Sequence, residues 1–316
     1  MINRAIKSYL EKCCGVAWLV LGMCLVSPQA GAADGKRVIA FAQDNMANDF
    51  RKAQVFEVRN AAAKHQNIEF VFSDAEGKTA LLIRQINQFI EQRVDVLIIG
   101  TNDETAVVPL IAKAQKEGIP VIVLDRGVKS TRYTSFINSD NIKIGVIGAA
   151  YIAKRLDGKG TVLLFEGIQT ADVTQLRSRG FMREIGKHPE IRVLKRTGNY
   201  LRKDALVEME KLLRDGIRVD AIFSESDSML SGVRVALGRH KIDPGSILTV
   251  GCDYTSEAQD AIRKGSQTGS VLFPLGGNKS VEVALEILAK RPVAKHIELP
   301  VQLVTKENVE TVPPIF

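Results

Sequence analysis

The stretch Gly118-Ile-Pro-Val-Ile-Val-Leu-Asp-Arg-Gly127 decides how the rest of the chain is interpreted. A turn at Gly118 and Pro120 precedes four apolar residues, and the run stops at Asp125 and Arg126. A short run of this kind, rich in β-branched residues, predicts a strand buried on both faces of a parallel sheet. Ligands of open α/β sheets bind just past the carboxyl ends of such strands. The pair can exchange hydrogen bonds with a neutral polyhydroxy compound, although a surface loop that carries two charges is the alternative.

Strands and helices alternate twice along the chain. The first round contains four apolar strands, at 38–42, 68–73, 94–99 and 121–124. The second round keeps the same rhythm from the strand 161–165 to the helix 256–264. Strict alternation predicts parallel sheets that are covered on both faces. Because two rounds are too long for one sheet, the predicted fold class is α/β with two similar doubly wound parallel-sheet lobes.

The end of the second round indicates how the lobes are connected. A strand at 269–272 and a helix at 278–290 are interpreted as a segment that returns to the first lobe, so more than one crossing is expected. The run Leu248-Thr-Val-Gly-Cys-Asp253 ends on an acid, as the run 121–125 does. If the two sheets face each other, Asp125 and Asp253 look into one cleft from opposite walls.

The first 32 residues have the composition of a secretory signal peptide. A basic region precedes the apolar run 13–26, and Ala30-Gly-Ala32 fits a small-x-small cleavage site. The run is short for a membrane span, so we expect export to the periplasm with cleavage after Ala32. A lipoprotein attached at Cys24 is the alternative, which Met23 before that cysteine disfavours.

The composition is that of a globular chain, and the charge identifies no partner. The chain has 316 residues, 45% of them hydrophobic, and a net charge of +7. Cleavage would remove three bases and one acid and leave +5 without a basic cluster, so no nucleic-acid partner is expected. Cys252 would then be the only cysteine, which leaves no internal disulfide and predicts a small buried hydrophobe. We expect a monomer without metal or other cofactor, because no histidine pair has metal-ligand spacing and no Walker or Gly-x-Gly-x-x-Gly loop occurs.

Arginines and aromatic rings near element ends are further candidates for a ligand site. Arg177 and Arg179 fall in the first turn of a helix predicted at 175–187, where the helix dipole disfavours a cation that lacks an acidic or hydroxylated partner. Surface solvation is the alternative for Arg179. Phe50 and Tyr200 are placed at a helix start and in a loop, where they can stack on the C–H faces of a sugar or pack in the core.

Five segments together carry a family pattern. They are Ile119-Pro-Val-Ile-Val-Leu-Asp-Arg126, Ser139-Asp-Asn141, Arg177-Ser-Arg-Gly-Phe181, Glu225-Ser-Asp-Ser-Met229 and Gly251-Cys-Asp253. With them the chain resembles, from about Lys36 to Thr305, the periplasmic sugar-binding proteins of ABC importers, a group that includes ribose- and galactofuranose-binding proteins. The resemblance implies a type I periplasmic binding protein with lobes of residues 33–139 with 273–301 and 140–272 with 302–316. It also implies three crossings, near 139–140, 272–273 and 301–303.

The resemblance implies which residues contact the ligand. The positions that match the family's contacts are Asp125, Arg126, Arg177 and Asp253, with Tyr200 as a stacking aromatic. Ser226 is also expected to contact the ligand, at a position where the family often has asparagine. The segment Asn48-Asp-Phe-Arg51 resembles the galactofuranose type and adds Phe50 and Arg51. Four residues depart from the ribose type by being smaller or less polar: Gly100, Ser226, Cys252 and Leu272. Ribose is therefore not expected to be the best ligand.

Several functions remain open at this point. A non-enzymatic receptor would close around a monosaccharide or polyol and dock on the membrane permease of an ABC importer, or present its closed form to a sensor kinase or chemoreceptor. A secreted glycosidase would use Asp125 and Asp253, but it needs one carboxyl with a raised pKa. Arg126 acts against that at Asp125, and no second environment in the sequence looks apolar enough. A sugar-responsive repressor needs a helix-turn-helix before the core, where the signal peptide is predicted.

Overall fold

The computed structural model describes residues 35–316. The predicted signal peptide, its cleavage after Ala32 and the alternative lipid anchor at Cys24 lie outside the described residues. Between Gly35 and Phe316, no helix is both long enough and apolar enough to cross a membrane.

Strands and helices alternate through residues 35–316. The first round consists of β1 (Arg37–Gln43), α1 (Asp49–Ala62), β2 (Ile68–Asp74), α2 (Thr79–Glu91), β3 (Val96–Gly100), α3 (Val108–Lys116), β4 (Val121–Leu124) and β5 (Ser135–Ser139). The second consists of α4 (Asn141–Arg155), β6 (Lys159–Glu166), α5 (Asp172–Ile185), β7 (Glu190–Thr197), α6 (Arg202–Arg214), β8 (Ala221–Ser224), α7 (Asp227–Arg239), β9 (Leu248–Asp253), α8 (Ser256–Lys264) and β10 (Gly269–Leu272). The last elements are α9 (Gly277–Leu288), β11 (His296–Leu299) and β12 (Gln302–Thr305).

The strands form two six-stranded sheets. Their orders are β11-β5-β4-β3-β1-β2 and β12-β10-β9-β8-β6-β7. All neighbours in the first sheet are parallel, and so are those in the second except β10 and β12. The predicted class, α/β with two similar doubly wound lobes, is confirmed.

Three crossings join the sheets. The chain passes from β5 to α4 at Asp140, from β10 to α9 through residues 273–276, and from β11 to β12 through Pro300 and Val301. The prediction that 269–272 returns to the first lobe is wrong, because β10 pairs with β9 of the second sheet. Only α9, which packs on α1, and β11 return. A four-residue apolar run does not specify which sheet completes it.

The antiparallel strand β12 has a topological cause. The strand β11 runs parallel to β5, toward the edge at which the two sheets meet. Because only two residues separate β11 from β12, the chain enters the second sheet from that same edge. It must therefore run opposite to the other strands of that sheet, and the expectation of purely parallel pairing is wrong at this position.

Apolar side chains cover both faces of the sheets. In β4, Val121 and Val123 pack into the core under α2 and α3, whereas Ile122 and Leu124 pack into the core under α1 and α9. All four are buried, as the opening stretch predicts. Full burial of a side chain of this size contributes about 1.5–3 kcal/mol relative to exposure. The sheets are thus rigid supports for whatever lies at their carboxyl ends.

Candidate functional site

The strand β4 carries Asp125 and Arg126 into the space between the sheets. The backbone at Asp125 has a left-handed φ of 69°, and its N–H donates to the carbonyl oxygen of Ile137 at 2.7 Å. The two residues are only 3% and 4% exposed. The alternative of a charged surface loop is therefore wrong. Two buried charges each need a compensating partner.

An opposite charge lies beside each of the two residues. Arg51, on the first turn of α1, forms an ion pair with Asp125, and Arg126 Nη1 lies 2.7 Å from Asp44 Oδ2. Burial lowers the pKa of Arg126, and the neighbouring Arg51 lowers it further. The carboxylates of Asp44 and Asp125 act in the opposite direction and stabilise the charged guanidinium group. Asp44 is not among the site residues predicted from the sequence. Its place directly after the carboxyl end of β1 is the signal that could have revealed it.

Asp44, Arg51, Asp125 and Arg126 form one wall of the space between the sheets. Apart from Asp125 Oδ2, which contacts Arg51 in the ion pair, three buried polar atoms of this wall have no hydrogen-bond partner among residues 35–316. They are Asp44 Oδ1, Asp125 Oδ1 and Arg126 Nε. Buried polar atoms of native proteins are almost always satisfied by protein groups or by other bound molecules. Two acceptors and one donor at one place suit a hydroxylated ligand, since a hydroxyl both donates and accepts.

The opposite wall is built around Arg177, which is 3% exposed. Its Nε donates to Asn141 Oδ1 at 2.9 Å and its Nη1 donates to the carbonyl oxygen of Glu225 at 2.7 Å. The helix α5 begins at Asp172, so the placement of Arg177 and Arg179 in a first turn is wrong. The capping position is Ala171, which offers no side-chain acceptor, and the sequence therefore lacks the usual start signal. Arg179 is exposed, in agreement with surface solvation.

Ser226 and Asp253 complete the second wall. Ser226 caps α7, where its Oγ accepts from the N–H of Met229 at 3.2 Å. Asp253, at the end of β9, is 3% exposed, and burial raises its pKa well above the usual value while Arg177 acts in the opposite direction. The expectation that no second environment is apolar enough to raise a carboxyl pKa is therefore wrong for Asp253. Its neighbour Cys252 is fully buried in the core, as predicted.

Three aromatic rings line the space between the walls, and an arginine lies over each. The distances from guanidinium carbon to ring centroid are 5.4 Å for Arg51 over Phe50, 5.8 Å for Arg126 over Tyr200 and 4.5 Å for Arg177 over Phe273. Phe50 also stacks on Phe273, with centroids 5.1 Å apart. Both predicted rings thus line the cleft and pack in the core, and neither role excludes the other.

At the crossing that follows β10, the residue that lines the cleft is Phe273 and not Leu272, the position considered from the sequence. Leu272 packs away from the cleft against Tyr254 and Ile262, whereas Phe273 lines it. The absence of a polar residue at Gly100 is also compensated. A side chain there would collide with Gln43 Oε1, only 2.5 Å from the Cβ position, so the buried Gln43 amide fills that space. Two of the four departures from the ribose type therefore do not change the cleft surface directly.

One small cavity of about 20 Å³ lies between the walls. Its lining residues are Asn48, Phe50, Arg51, Arg126, Val173, Arg177, Tyr200, Ser226, Asp253 and Phe273. Seven of the eight predicted site residues belong to this set, and Asp125 is joined to it through its ion pair with Arg51. This volume has room for about one water molecule, so the side chains of the two walls pack closely together.

Direct contacts hold the two lobes together around this cavity. Asn48 Nδ2 donates to the carbonyl oxygen of Tyr200 at 2.6 Å, and the N–H of Gly127 donates to Asp172 Oδ2 at 2.7 Å. Farther out, Asp49 Oδ2 accepts from Ser228 at 2.9 Å. Gly127 permits the second contact because a Cβ there would lie 2.9 Å from the Asp172 carboxylate. The lobes are therefore in a closed arrangement.

Comparisons with known proteins agree with this geometry. Residues 39–292 match the family described as periplasmic binding protein domain. The chain is 30% identical to the ribose import binding protein RbsB of Bacillus subtilis (strain 168), over 78% of this chain and 80% of that protein.

Two solved structures share the fold. An ABC transporter solute binding protein of Bacillus halodurans with bound myo-inositol has a TM-score of 0.83 at 27% identity, covering 88% of this chain and 98% of that one. The fructose binding periplasmic domain of a hybrid two component system has a TM-score of 0.81 at 26% identity, covering 87% and 93%. The chain belongs to the periplasmic binding protein family, among the sugar-binding proteins of ABC importers.

Proposed function

We propose that the protein is a periplasmic receptor that binds a neutral monosaccharide or related polyol between its lobes and delivers it to the membrane permease of an ABC importer. The observation that carries the proposal is the buried cleft with its unpaired polar atoms Asp44 Oδ1, Asp125 Oδ1 and Arg126 Nε. A ligand hydroxyl can satisfy both kinds of atom, and hydrogen bonds to charged groups contribute about 1.5–3 kcal/mol each.

The charges of the cleft favour a ligand without charge. Three arginines face three carboxyl groups, those of Asp44, Asp125 and Asp253. An amino sugar would add a buried cation to a site in which Asp44 and Asp125 are already paired with arginines. A neutral polyol needs only hydrogen bonds and an apolar surface for its C–H groups, which the rings of Phe50, Tyr200 and Phe273 supply.

We assign ligand contact to Phe50, Arg51, Asp125, Arg126, Arg177, Tyr200, Ser226 and Asp253. The lobes that close on the ligand would comprise residues 33–139 with 273–301 and residues 140–272 with 302–316. Two features support this division: β11 belongs to the first sheet and β12 to the second, and the crossings fall at Asp140, 273–276 and Pro300. Export with cleavage after Ala32 belongs to the same proposal, as does action as a monomer.

A sensing role is the second candidate output. It is favoured by the similarity to the fructose binding periplasmic domain of a hybrid two component system. In that role the ligand-closed form would be presented to a sensor kinase or chemoreceptor. Uptake of labelled ligand by cells that lack the gene separates the two roles, since only a transport role predicts lost uptake.

A glycosidase that uses Asp125 and Asp253 is the candidate from another class. The raised pKa of Asp253 gives it one suitable carboxyl. Asp125, however, is held in an ion pair with Arg51, and the similar RbsB of Bacillus subtilis is a ribose import binding protein. Incubation with aryl glycosides is expected to give no turnover. Release of aryl alcohol that disappears in Asp125→Ala would establish the enzyme instead.

The proposed receptor is tested by a ligand screen on the purified mature protein. Thermal unfolding would be recorded with D-ribose, L-arabinose, D-galactose, D-fructose, xylitol and myo-inositol, followed by calorimetry of the compounds that raise the unfolding temperature. A bound ligand at 100 times its Kd stabilises the folded state by about 2.7 kcal/mol, which is readily detected. Sugar acids and amino sugars serve as matched charged controls. Stabilisation by the charged compounds alone would contradict the proposal.

A further inference from the structure

A chain of polar side chains lies behind the second wall of the cleft. Ser178 Oγ is 2.8 Å from Glu166 Oε1 and 2.9 Å from Glu225 Oε1. Lys195 Nζ reaches Glu166 Oε1 at 2.9 Å from the protein surface. Glu225 is fully buried, and both Glu166 and Ser178 are 8% exposed. This series of hydrogen-bonded side chains therefore extends from the protein surface to Glu225, which immediately precedes Ser226 of the cleft.

The geometry at Ser178 requires a proton on one of the two carboxyl groups. A serine hydroxyl has a single hydrogen, so it can donate to only one of the two carboxylate oxygens that it contacts. If both groups were ionised, the second contact would bring an oxygen lone pair against a negative oxygen at 2.9 Å in a buried site. One carboxyl must donate its own proton to Ser178 Oγ, which then donates to the other carboxyl.

Glu225 is the group that carries this proton. Glu166 Oε1 already accepts from the Lys195 ammonium, which stabilises the ionised form. Within residues 35–316 no cation forms an ion pair with the Glu225 carboxyl group, and its Oε2 accepts from the N–H of Gly167 at 2.8 Å. The proton is therefore on Oε1, facing Ser178. Burial raises the pKa of Glu225 to about 8, against the opposing effects of the Gly167 N–H and Arg177.

Charged and titratable groups face Glu225 from every element around it. Glu166 at the end of β6 disfavours its ionisation, whereas Arg177 on α5 favours it. Lys195 on β7 is held by Glu166 rather than by Glu225. From β9, Cys252 adds a thiol whose own pKa is raised by burial. The remaining neighbour is Tyr200, and it belongs to the cleft.

Glu225 touches two cleft residues that the proposed function uses. Tyr200 Oη lies 3.5 Å from Glu225 Oε2 and 2.7 Å from Thr174 Oγ1, and its ring lies against Gly167. The backbone carbonyl of Glu225 holds Arg177. A negative charge on the Glu225 carboxyl would compete with Thr174 for the tyrosine hydroxyl and would add an unpaired buried charge beneath both residues.

We propose that Glu225 is a positioning residue that stays protonated at neutral pH. As the neutral donor of the hydrogen-bonded series Glu225–Ser178–Glu166–Lys195, it holds Tyr200 and Arg177 in place. The importance of Tyr200 and Arg177 for binding rests on the proposed function, whereas the position of the proton does not. The test is therefore made on the full mature protein without ligand.

Carbon-13 NMR of glutamate-labelled protein locates the proton. The carboxyl signal that is absent in Glu225→Gln identifies Glu225, and we expect it at the protonated position at pH 6.5 with a titration midpoint near pH 8. The ring signals of Tyr200, assigned with Tyr200→Phe, should move with the same midpoint in the wild type and stay constant in Glu225→Gln. A Glu225 signal that is ionised at pH 6.5, or a Tyr200 signal that ignores the titration, would overturn the proposal.

Unfolding measurements give a second readout with a matched pair of variants. Because the pKa of Glu225 is higher in the folded protein than its ordinary value of 4.5, the wild type should lose stability as pH rises from about 4.5 to 8. The amide of Glu225→Gln can donate to Ser178 without titrating, so its stability relative to the wild type should increase across that range. In Glu166→Gln the ion pair with Lys195 is lost at every pH. If Glu166→Gln showed the pH-dependent gain and Glu225→Gln did not, the proton would belong to Glu166 and the proposal would be wrong.

Discussion

Both walls of the cleft hold buried arginine side chains in place, but they do so with different chemistry. On the first wall, Arg51 and Arg126 are compensated by the carboxylates of Asp125 and Asp44, and several polar atoms of these groups stay unpaired. On the second wall, Arg177 is fixed by two neutral oxygens, those of Asn141 and the Glu225 carbonyl. The first wall is held by charge and is incompletely bonded, whereas the second is held by directed hydrogen bonds.

The difference indicates where binding free energy comes from. Removal of one member of a buried ion pair leaves its partner as an uncompensated charge, which is costlier than the loss of a neutral hydrogen bond. The first wall should therefore show the larger losses on mutation. The second wall should act mainly by holding its groups in the geometry that the ligand needs.

The largest effect is expected for Asp125→Ala on the first wall. The substitution leaves Arg51 buried without its partner and removes a ligand acceptor, so affinity for the ligand found by screening should fall by about 2–5 kcal/mol. Calorimetry measures the loss, and thermal unfolding checks that the fold persists. Asp260→Ala, at an exposed aspartate on α8, is the control and should bind normally. Unchanged affinity in Asp125→Ala would place the binding site elsewhere.

A smaller loss is expected for Arg177→Lys on the second wall. A lysine keeps the charge but cannot reach Asn141 and the Glu225 carbonyl together, because it lacks the planar fork of the guanidinium group. Affinity should fall about 10- to 100-fold, or about 1.4–2.7 kcal/mol. Arg179→Lys, on the same helix but exposed, should leave the Kd unchanged. A loss in Arg177→Lys as large as that in Asp125→Ala would remove the distinction between the walls.

Ligand preference is the third way to test the comparison. Of the four departures from a ribose-type site, Ser226 is the one that lines the cavity. Arg51 and Phe273 add groups at the other edges of the cavity. A site with buried donors discriminates strongly against ligands whose hydroxyls do not match them. We therefore expect a hexose, a furanose or a polyol to bind at least about tenfold better than ribose, or about 1.4 kcal/mol. Competitive titration decides this, and ribose binding as tight as that of every other compound tested would contradict it.

The walls also differ in what the sequence could reveal about them. Acids at strand ends are local signals, so Asp125 and Asp253 could be predicted from apolar runs alone. Asp44 carries the same local signal after β1, but its pairing with Arg126 and those of Asn141 and Glu225 with Arg177 could not be predicted, because tertiary packing brings these groups together from segments far apart in sequence. The start of α5 is also hard to predict, because it lacks a capping side chain. Whether Leu272 or Phe273 lines the cleft depends on how the chain turns after β10.

The smallest effect concerns the contact that joins the walls, between the N–H of Gly127 and the carboxyl group of Asp172. In the closed form burial raises the pKa of Asp172 from 3.8 to about 6, although the hydrogen bond from Gly127 opposes this shift. An open cleft returns the half-buried carboxyl to water, so its pKa there should be closer to the ordinary value.

Closure of the lobes therefore takes up a proton at Asp172. Its contribution is fully present below the open-form pKa and is lost as pH rises through about 6. Lowering the pH from 7.5 to 5 should therefore increase the ratio of closed to open ligand-free protein by at most about tenfold, because one carboxyl with a pKa between 3.8 and about 6 cannot shift the ratio further over this range. Energy transfer between one dye on each lobe measures this fraction. In Asp172→Asn the amide oxygen can still accept from Gly127 without titrating, so the pH response should vanish. A response of equal size in that variant would assign the proton to another group.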